Sequence, residues 1–262
     1  MSPMVAIVTG ASQGIGKAIA SLLASQGNMV FDFSRHGVSS LGITHVFCDV
    51  TDEESVRAAV QTVLSQASSI DLLVCNAGFG IAGAVECTRM ADADRQFRVN
   101  FFGALSAVQA VLPAMRAQRH GRILFISSVA AVFSIPFQSF YSATKAALNS
   151  MALALRSEVA DYGIQVSVVQ LGDVASNFTA SRKTDWTGED IYPCMCSSIQ
   201  SMEHDEQSGM TPEYVANRVG HLLRKHSLPP VYTVGRIYRL FVFVQRFLPL
   251  RFIRWAVTKM YK

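Results

Sequence analysis

Short apolar runs alternate along the first two thirds of the chain with stretches that turn apolar at every third or fourth position. The runs Met4 to Val8, Met29 to Ser34, Val46 to Val50, Ile70 to Val74, Arg122 to Ile126 and Gln165 to Gln170 predict buried strands. Helices are predicted between them at Lys17 to Ser25, Asp52 to Ala67 with Thr51 or Asp52 as cap, and Met90 to Gln118 as one long stretch. A fourth follows from Tyr141 to Tyr162, a run without Gly or Pro. Only His36 to His45 is too short to carry a crossover helix. Regular alternation of strand and helix predicts an α/β fold with a parallel sheet covered on both faces, and such sheets bind ligand at the carboxyl ends of their strands.

What stands at those predicted ends is chemically pointed. After the first strand comes Thr9-Gly10-Ala11-Ser12-Gln13-Gly14-Ile15-Gly16 and then a helix start. This order forms a phosphate cradle, because glycines let the backbone approach and the first helical N–H groups face the anion. It makes the fold a Rossmann-type, doubly wound sheet. The second strand ends in Ser34-Arg35, where an arginine accommodates a 2′-phosphate and an acid would bind a 2′-hydroxyl. NADP(H) is therefore the preferred cofactor and NAD(H) a possible one. Asp32 would reverse that preference if it faced the ribose, but counting from Gly10 places Ser34 at the tip. Asp49, followed by Val50, can bond the adenine amino group, and the small residues of Asn76-Ala77-Gly78 let a cofactor pass close to the backbone. Asn100 lies inside an apolar helix, where its amide needs partners: it either braces the neighbouring strand or holds a water in a proton path.

Tyr141 and Lys145 are four apart and project from one helix face. They can be mere surface neighbours. A phenol beside an ammonium can also exchange a proton near neutral pH, and Ser128, ending its strand, can polarise a carbonyl oxygen nearby.

Taken together, Thr9-Gly10-x-x-x-Gly14-x-Gly16, Asp49-Val50, Asn76-Ala77-Gly78, Asn100, Ser128 and Tyr141-x-x-x-Lys145 resemble the short-chain dehydrogenase/reductase family, over about Met4 to Ser176. The subgroup brought closest is that of hydroxysteroid dehydrogenases. The resemblance implies Tyr141 as catalytic acid/base, Ser128 as carbonyl orienter, Lys145 as the group that lowers the Tyr141 pKa and holds the nicotinamide ribose, and Asn100 as holder of a relay water. It also implies nicotinamide contacts at Val174 and Ser176. Two departures stand out: Cys75 where the family has Asn, and Leu171-Gly172 where it has Pro-Gly.

Length and charge change the picture mainly at the C-terminus. The 262 residues, half of them hydrophobic and 16% charged, suit one domain, here taken as 1–234 with a substrate loop at about 178–210. Periodicity fails in that loop. Phe133, Ile135, Phe137 and Phe178 are expected to supply apolar substrate contacts, while Gly188 and Gly209 could flank a movement. Through Glu213 there are 13 Lys/Arg against 19 Asp/Glu, and after it 10 against none. The extension 235–262 interleaves arginines with aromatics, so it either lies on a membrane surface or packs over the pocket or a partner subunit. Nucleic-acid binding is not expected without a recognised module. The five cysteines lack metal-site spacing and read as reduced thiols; with no apolar run long enough to span a bilayer and no secretion signal, the expected location is cytoplasmic. The expected function is an NADP(H)-dependent oxidoreductase interconverting a secondary alcohol and a ketone on a hydrophobic substrate, first a hydroxysteroid. The alternatives are acyl-dihydroxyacetone phosphate or another long-chain or retinoid carbonyl, or, in a different class, a silent NADP-binding regulator. A homodimer or homotetramer is expected from the resemblance.

Overall fold

The computed structural model describes residues 3–261. Its sequence of elements begins β1 (Val5–Thr9), α1 (Gly14–Ser25), β2 (Met29–Ser34), β3 (Ile43–Phe47), α2 (Glu53–Gln66), β4 (Leu72–Cys75), β5 (Ile81–Ala82), α3 (Met90–Phe97) and α4 (Gly103–Gln118). It continues with β6 (Gly121–Ser128), α5 (Ser139–Glu158), β7 (Ile164–Leu171), β8 (Lys183–Thr184), α6 (Met195–Gln207), α7 (Pro212–Leu223), β9 (Val231–Thr233), α8 (Arg236–Val244) and α9 (Leu250–Met260). Seven strands form one sheet in the order β3-β2-β1-β4-β6-β7-β9, every pair parallel. The order reverses between β1 and β4. A doubly wound sheet opens its ligand crevice there.

The central strands are buried on both faces, which explains their unbroken apolar runs. One face packs Phe31, Phe33, Leu73 and Phe125 under α2, α4 and α5. The other packs Val8, Leu72 and Leu124 under α1 and α7. A smaller cluster of Ala82, Met195, Ile199, Met202 and Tyr261 ties α6 to the chain's end.

Three expectations about elements are corrected. The third strand is Ile43–Phe47 and not Val46 to Val50, because its register against β2 ends with Phe47 opposite Ser34, so Asp49 and Val50 lie beyond it. No helix joins β2 to β3, as the short connection required, and Asp52 caps α2 by accepting the Glu54 N–H at 3.1 Å. The predicted single helix from Met90 is instead α3, a π-helical turn at Arg98–Phe102, and α4. That wide turn centres on Asn100, and π-turns of this kind recur at functional sites. The supposedly aperiodic loop contains α6, whose buried positions Met195, Ser198, Ile199 and Met202 fall at i, i+3, i+4 and i+7.

Candidate active site

Every sheet strand that ends in a predicted motif ends at the same edge, and one continuous cavity of 1360 Å³ runs along it. At the crevice, Gly10 takes φ +66°, a left-handed conformation that favours glycine, and its N–H bonds Phe33 O at 2.8 Å. Gln13 precedes α1 in an extended conformation and no side chain caps the helix. The helix's first N–H groups are therefore available at a turn whose Gly10, Ser12, Gln13, Gly14 and Ile15 all line the cavity. This is what a pyrophosphate needs. Gly16 lies outside the lining and has a different task, since a Cβ there would collide with Gly10 O and the Asn76 amide. Asn76 donates from Nδ2 to Thr9 O at 3.0 Å and Gly10 O at 3.2 Å, and the Thr9 hydroxyl accepts the N–H groups of Asn76 and Ala77, each at 3.0 Å. The two strand ends flanking the crevice are thus bonded into one piece.

Further along the edge, Ser34, Arg35, Asp49, Val50, Asn76, Ala77 and Gly78 line the same cavity. Asp32 is buried, accepting the Ala11 N–H at 3.0 Å and the Ser34 hydroxyl at 2.9 Å, so its carboxylate supports the turn from beneath. Arg35 is exposed at the rim. Burial opposes ionisation of Asp49, yet the Thr51 N–H and hydroxyl, with the Arg35 charge, hold its carboxyl below the ordinary value. Residues Val174 and Ser176 line the cavity after β7.

Ser128 ends β6 and Tyr141 stands in the first turn of α5, so β6 and the helix packed on it bring both hydroxyls together. Ser128 Oγ accepts the Ala130 N–H at 3.0 Å, which leaves its proton for the phenol. Burial raises the Tyr141 pKa above that of a free phenol, and the Ser128 hydrogen bond draws it back down. Lys145 stands one turn along α5 from Tyr141. Its Nζ donates to Ile126 O at 2.8 Å and sits 5.7 Å from the centre of the Tyr141 ring. Burial itself lowers the Lys145 pKa to about 8, with a smaller opposing effect of Cys75, because a desolvated ammonium loses more than one carbonyl returns. The Asn100 side chain braces its surroundings, one of the two compatible readings of this residue. Oδ1 accepts the Phe79 N–H at 3.0 Å, while Nδ2 donates to Phe79 O at 3.0 Å and Thr144 Oγ1 at 3.2 Å.

Beyond the tyrosine the cavity turns apolar. Phe178 holds its ring 5.4 Å from that of Tyr141, and Phe133 and Ile135 line the wall. Phe137 does not; with φ +58° it turns to pack on Tyr192, 6.1 Å away. Gly209 abuts the Asp173 backbone so tightly that a side chain would not fit. The roof comes from α8 and α9 through Leu240, Phe241, Val244, Phe252, Ile253 and Val257.

Sequence reasoning missed two carboxylates at this end. Asp173 accepts the Tyr238 hydroxyl at 2.7 Å, and Glu206 bonds Thr179 at 2.5 Å and pairs with Arg182; both line the cavity. Burial raises both pKa values, opposed at Asp173 by the Tyr238 bond and at Glu206 by the Arg182 charge. The helical spacing of α6, which carries Glu206, was the signal that could have found it.

The comparisons agree with this geometry. The family model described as short chain dehydrogenase matches residues 4–186. A 3-ketodihydrosphingosine reductase from Bacteroides thetaiotaomicron is 35% identical over 100% of this chain and 99% of its own length. The chain belongs to the short-chain dehydrogenase/reductase family. Another relative, dehydrogenase/reductase SDR family member 7B from Xenopus tropicalis, is 30% identical over 82% of this chain and 72% of its own. Among solved structures, a short-chain dehydrogenase from Streptomyces avermitilis superposes with a TM-score of 0.83 at 28% identity, covering 98% of this chain and 96% of that one. As a member of the short-chain dehydrogenase/reductase family the protein is an NAD(P)-dependent oxidoreductase. Its family match stops at residue 186, before α6 and the roof begin.

Proposed function

We propose that the protein is an NADP(H)-dependent reductase of a long-chain ketone. The observation that carries this is the shape of one cavity: a nucleotide crevice at one end, Tyr141 in the middle and an apolar channel under α8 and α9 at the other. The full-length likeness to a 3-ketodihydrosphingosine reductase supports a long-chain ketone over the hydroxysteroid expected first. Asp173 lines the cavity and makes no ion pair among the described residues, which favours a polar or cationic head group over the phosphate of acyl-dihydroxyacetone phosphate, whereas Glu206 is already paired with Arg182. The exposed Arg35, with Asp32 turned under the loop, favours NADP over NAD.

A bound nicotinamide would supply the hydride. Tyr141 gives its proton to the carbonyl oxygen, and Ser128 donates to that oxygen or to the phenol as charge develops. Lys145 would hold a ribose hydroxyl through its amine, and Gly10 to Ile15, braced by Asn76, would hold the pyrophosphate end. Asn100 keeps the Phe79 loop and α5 in register, so that Tyr141 stays aimed into the cavity. We treat 235–262 as an extension of the domain. The same reading takes the protein to be a cytoplasmic homodimer or homotetramer whose basic extension touches a membrane surface.

The test is a panel of long-chain amino ketones, neutral long-chain ketones, acyl-dihydroxyacetone phosphate and ketosteroids, followed by NADPH absorbance. Turnover of the long-chain amino ketone is expected to lead. Turnover of ketosteroids alone would return the hydroxysteroid to first place, and cofactor binding with no turnover of any carbonyl would leave a regulator.

A further inference from the structure

The roof has two faces, and only the inner one is accounted for. It is pinned at its ends: Tyr238 bonds Asp173 near the start of α8, and Tyr261 is buried against α6 with its carbonyl accepting the Ser198 hydroxyl. Between those pins, α8 buries Val242 alone and α9 has no fully buried side chain among the described residues. Large apolar side chains face outward instead, with Phe247 at 72%, Leu250 at 70% and Trp255 at 57% exposure. Leu240, Phe241, Val244 and Phe252 are exposed and also line the cavity, so the apolar outer face runs without a break into the mouth of the substrate channel.

Interleaved with that face are Arg236, Arg239, Arg246, Arg251, Arg254 and Lys259, all exposed and none in an ion pair among the described residues. The segment carries no acidic residue at all. A second copy of this chain is therefore a poor occupant. A two-fold interface sets a patch against itself, which here would bring arginine to arginine with no carboxylate between. Exposed aromatics mixed with unpaired cations match an anionic lipid surface, whose head groups pair with the arginines while the aromatic rings enter the interface.

We propose that the outer face of α8 and α9 lies on an anionic lipid bilayer and that the mouth between them receives the ketone directly from it. This rests on the long-chain ketone reading and adds the route by which the substrate arrives. A water-insoluble ketone then moves from one apolar phase to another without crossing solvent, and the roof need only part along its unburied middle.

The experiment uses the full chain carrying Trp186→Phe, which leaves Trp255 as its one tryptophan, with vesicles of phosphatidylcholine alone or mixed with phosphatidylglycerol. Flotation with the mixed vesicles and a blue shift of Trp255 emission are expected, at an affinity at least about tenfold above that for phosphatidylcholine alone. Combining Arg246→Glu, Arg251→Glu and Arg254→Glu is expected to abolish flotation and to slow reduction of a vesicle-embedded long-chain ketone by about tenfold or more, leaving reduction of a short water-soluble ketone unchanged. Equal binding to both vesicles, or a lipid-free dimer that shields Trp255, would overturn the proposal. Vesicle binding without reduction of any ketone would sink the substrate reading alone. Reduction of soluble ketones by a protein that ignores vesicles would sink the membrane route alone.

Discussion

The crevice side and the roof of the same cavity are built on opposite terms. On the crevice side, side-chain hydrogen bonds tie separate segments together: Asn76 ties β1 to β4, Asp32 supports Ala11, Asn100 holds Phe79 and Thr144. The roof is held at Tyr238 and Tyr261 and leaves its largest apolar side chains exposed between them. The difference separates two requirements. Proton transfer needs atoms fixed to a fraction of an ångström, which takes a dense hydrogen-bond network. Admission of a bulky apolar molecule needs a wall that yields, and a surface with few buried contacts yields at little cost.

The sharpest way to break the comparison is at the phenol. Tyr141→Phe is expected to lower kcat by about a thousandfold or more while NADP affinity and Tm stay at wild-type values, measured by steady-state kinetics, calorimetric titration and thermal melts. Retained turnover would remove the acid/base role altogether.

Lys145 tests the crevice side through pH. Its pKa is about 8 in the folded protein, against 10.5 for a free lysine side chain. Between these values the unfolded chain keeps a proton that the folded one releases, so this group makes stability rise with pH across that window. Comparing denaturant stability of wild type and Lys145→Met from pH 7 to 11 should show the wild type gaining on the variant by about 3 kcal/mol. A flat difference would mean that Lys145 is not desolvated in the folded protein.

Asn76→Ala strips the backbone groups Thr9 O and Gly10 O of a donor at the crevice and is expected to cost about 2 kcal/mol of stability by urea titration, with weakened NADP binding. On the roof, Phe252→Ala should change stability by under about 0.5 kcal/mol, because the side chain is already half exposed. It should instead lower kcat/KM about fivefold for long-chain ketones, with the loss growing with chain length. If Phe252→Ala were the more destabilising of the two, the roof would be a packed element and the comparison would fail.

How much of this could be read beforehand follows from how local each signal is. The glycine turn, the strand ends and the Tyr141–Lys145 spacing are fixed by a few neighbouring residues, and the structure gathers all of them on one edge. Gly16 shows the limit, because its position in the motif does not reveal that it serves packing against Gly10 and Asn76 and stands outside the cavity wall. The π-turn at Asn100 was illegible, since the residues there suit an ordinary helix and the widening depends on tertiary partners. Lys145 shows a related limit: its spacing to Tyr141 is local, but its charge depends on burial, and its amine bonds Ile126 O, which belongs to another element.

Sequence alone determined the alternation of strand and helix, the parallel sheet, the cofactor edge and which hydroxyls are proposed to react, because periodicity and short motifs act over distances of one or two turns. Tertiary structure decided where residues 236–261 go, brought Asp173 and Glu206 into the cavity that Tyr141 lines, and set the ionisation of Tyr141 and Lys145. Those outcomes depend on desolvation and on contacts between segments far apart in the chain, and neither quantity is written in the order of residues.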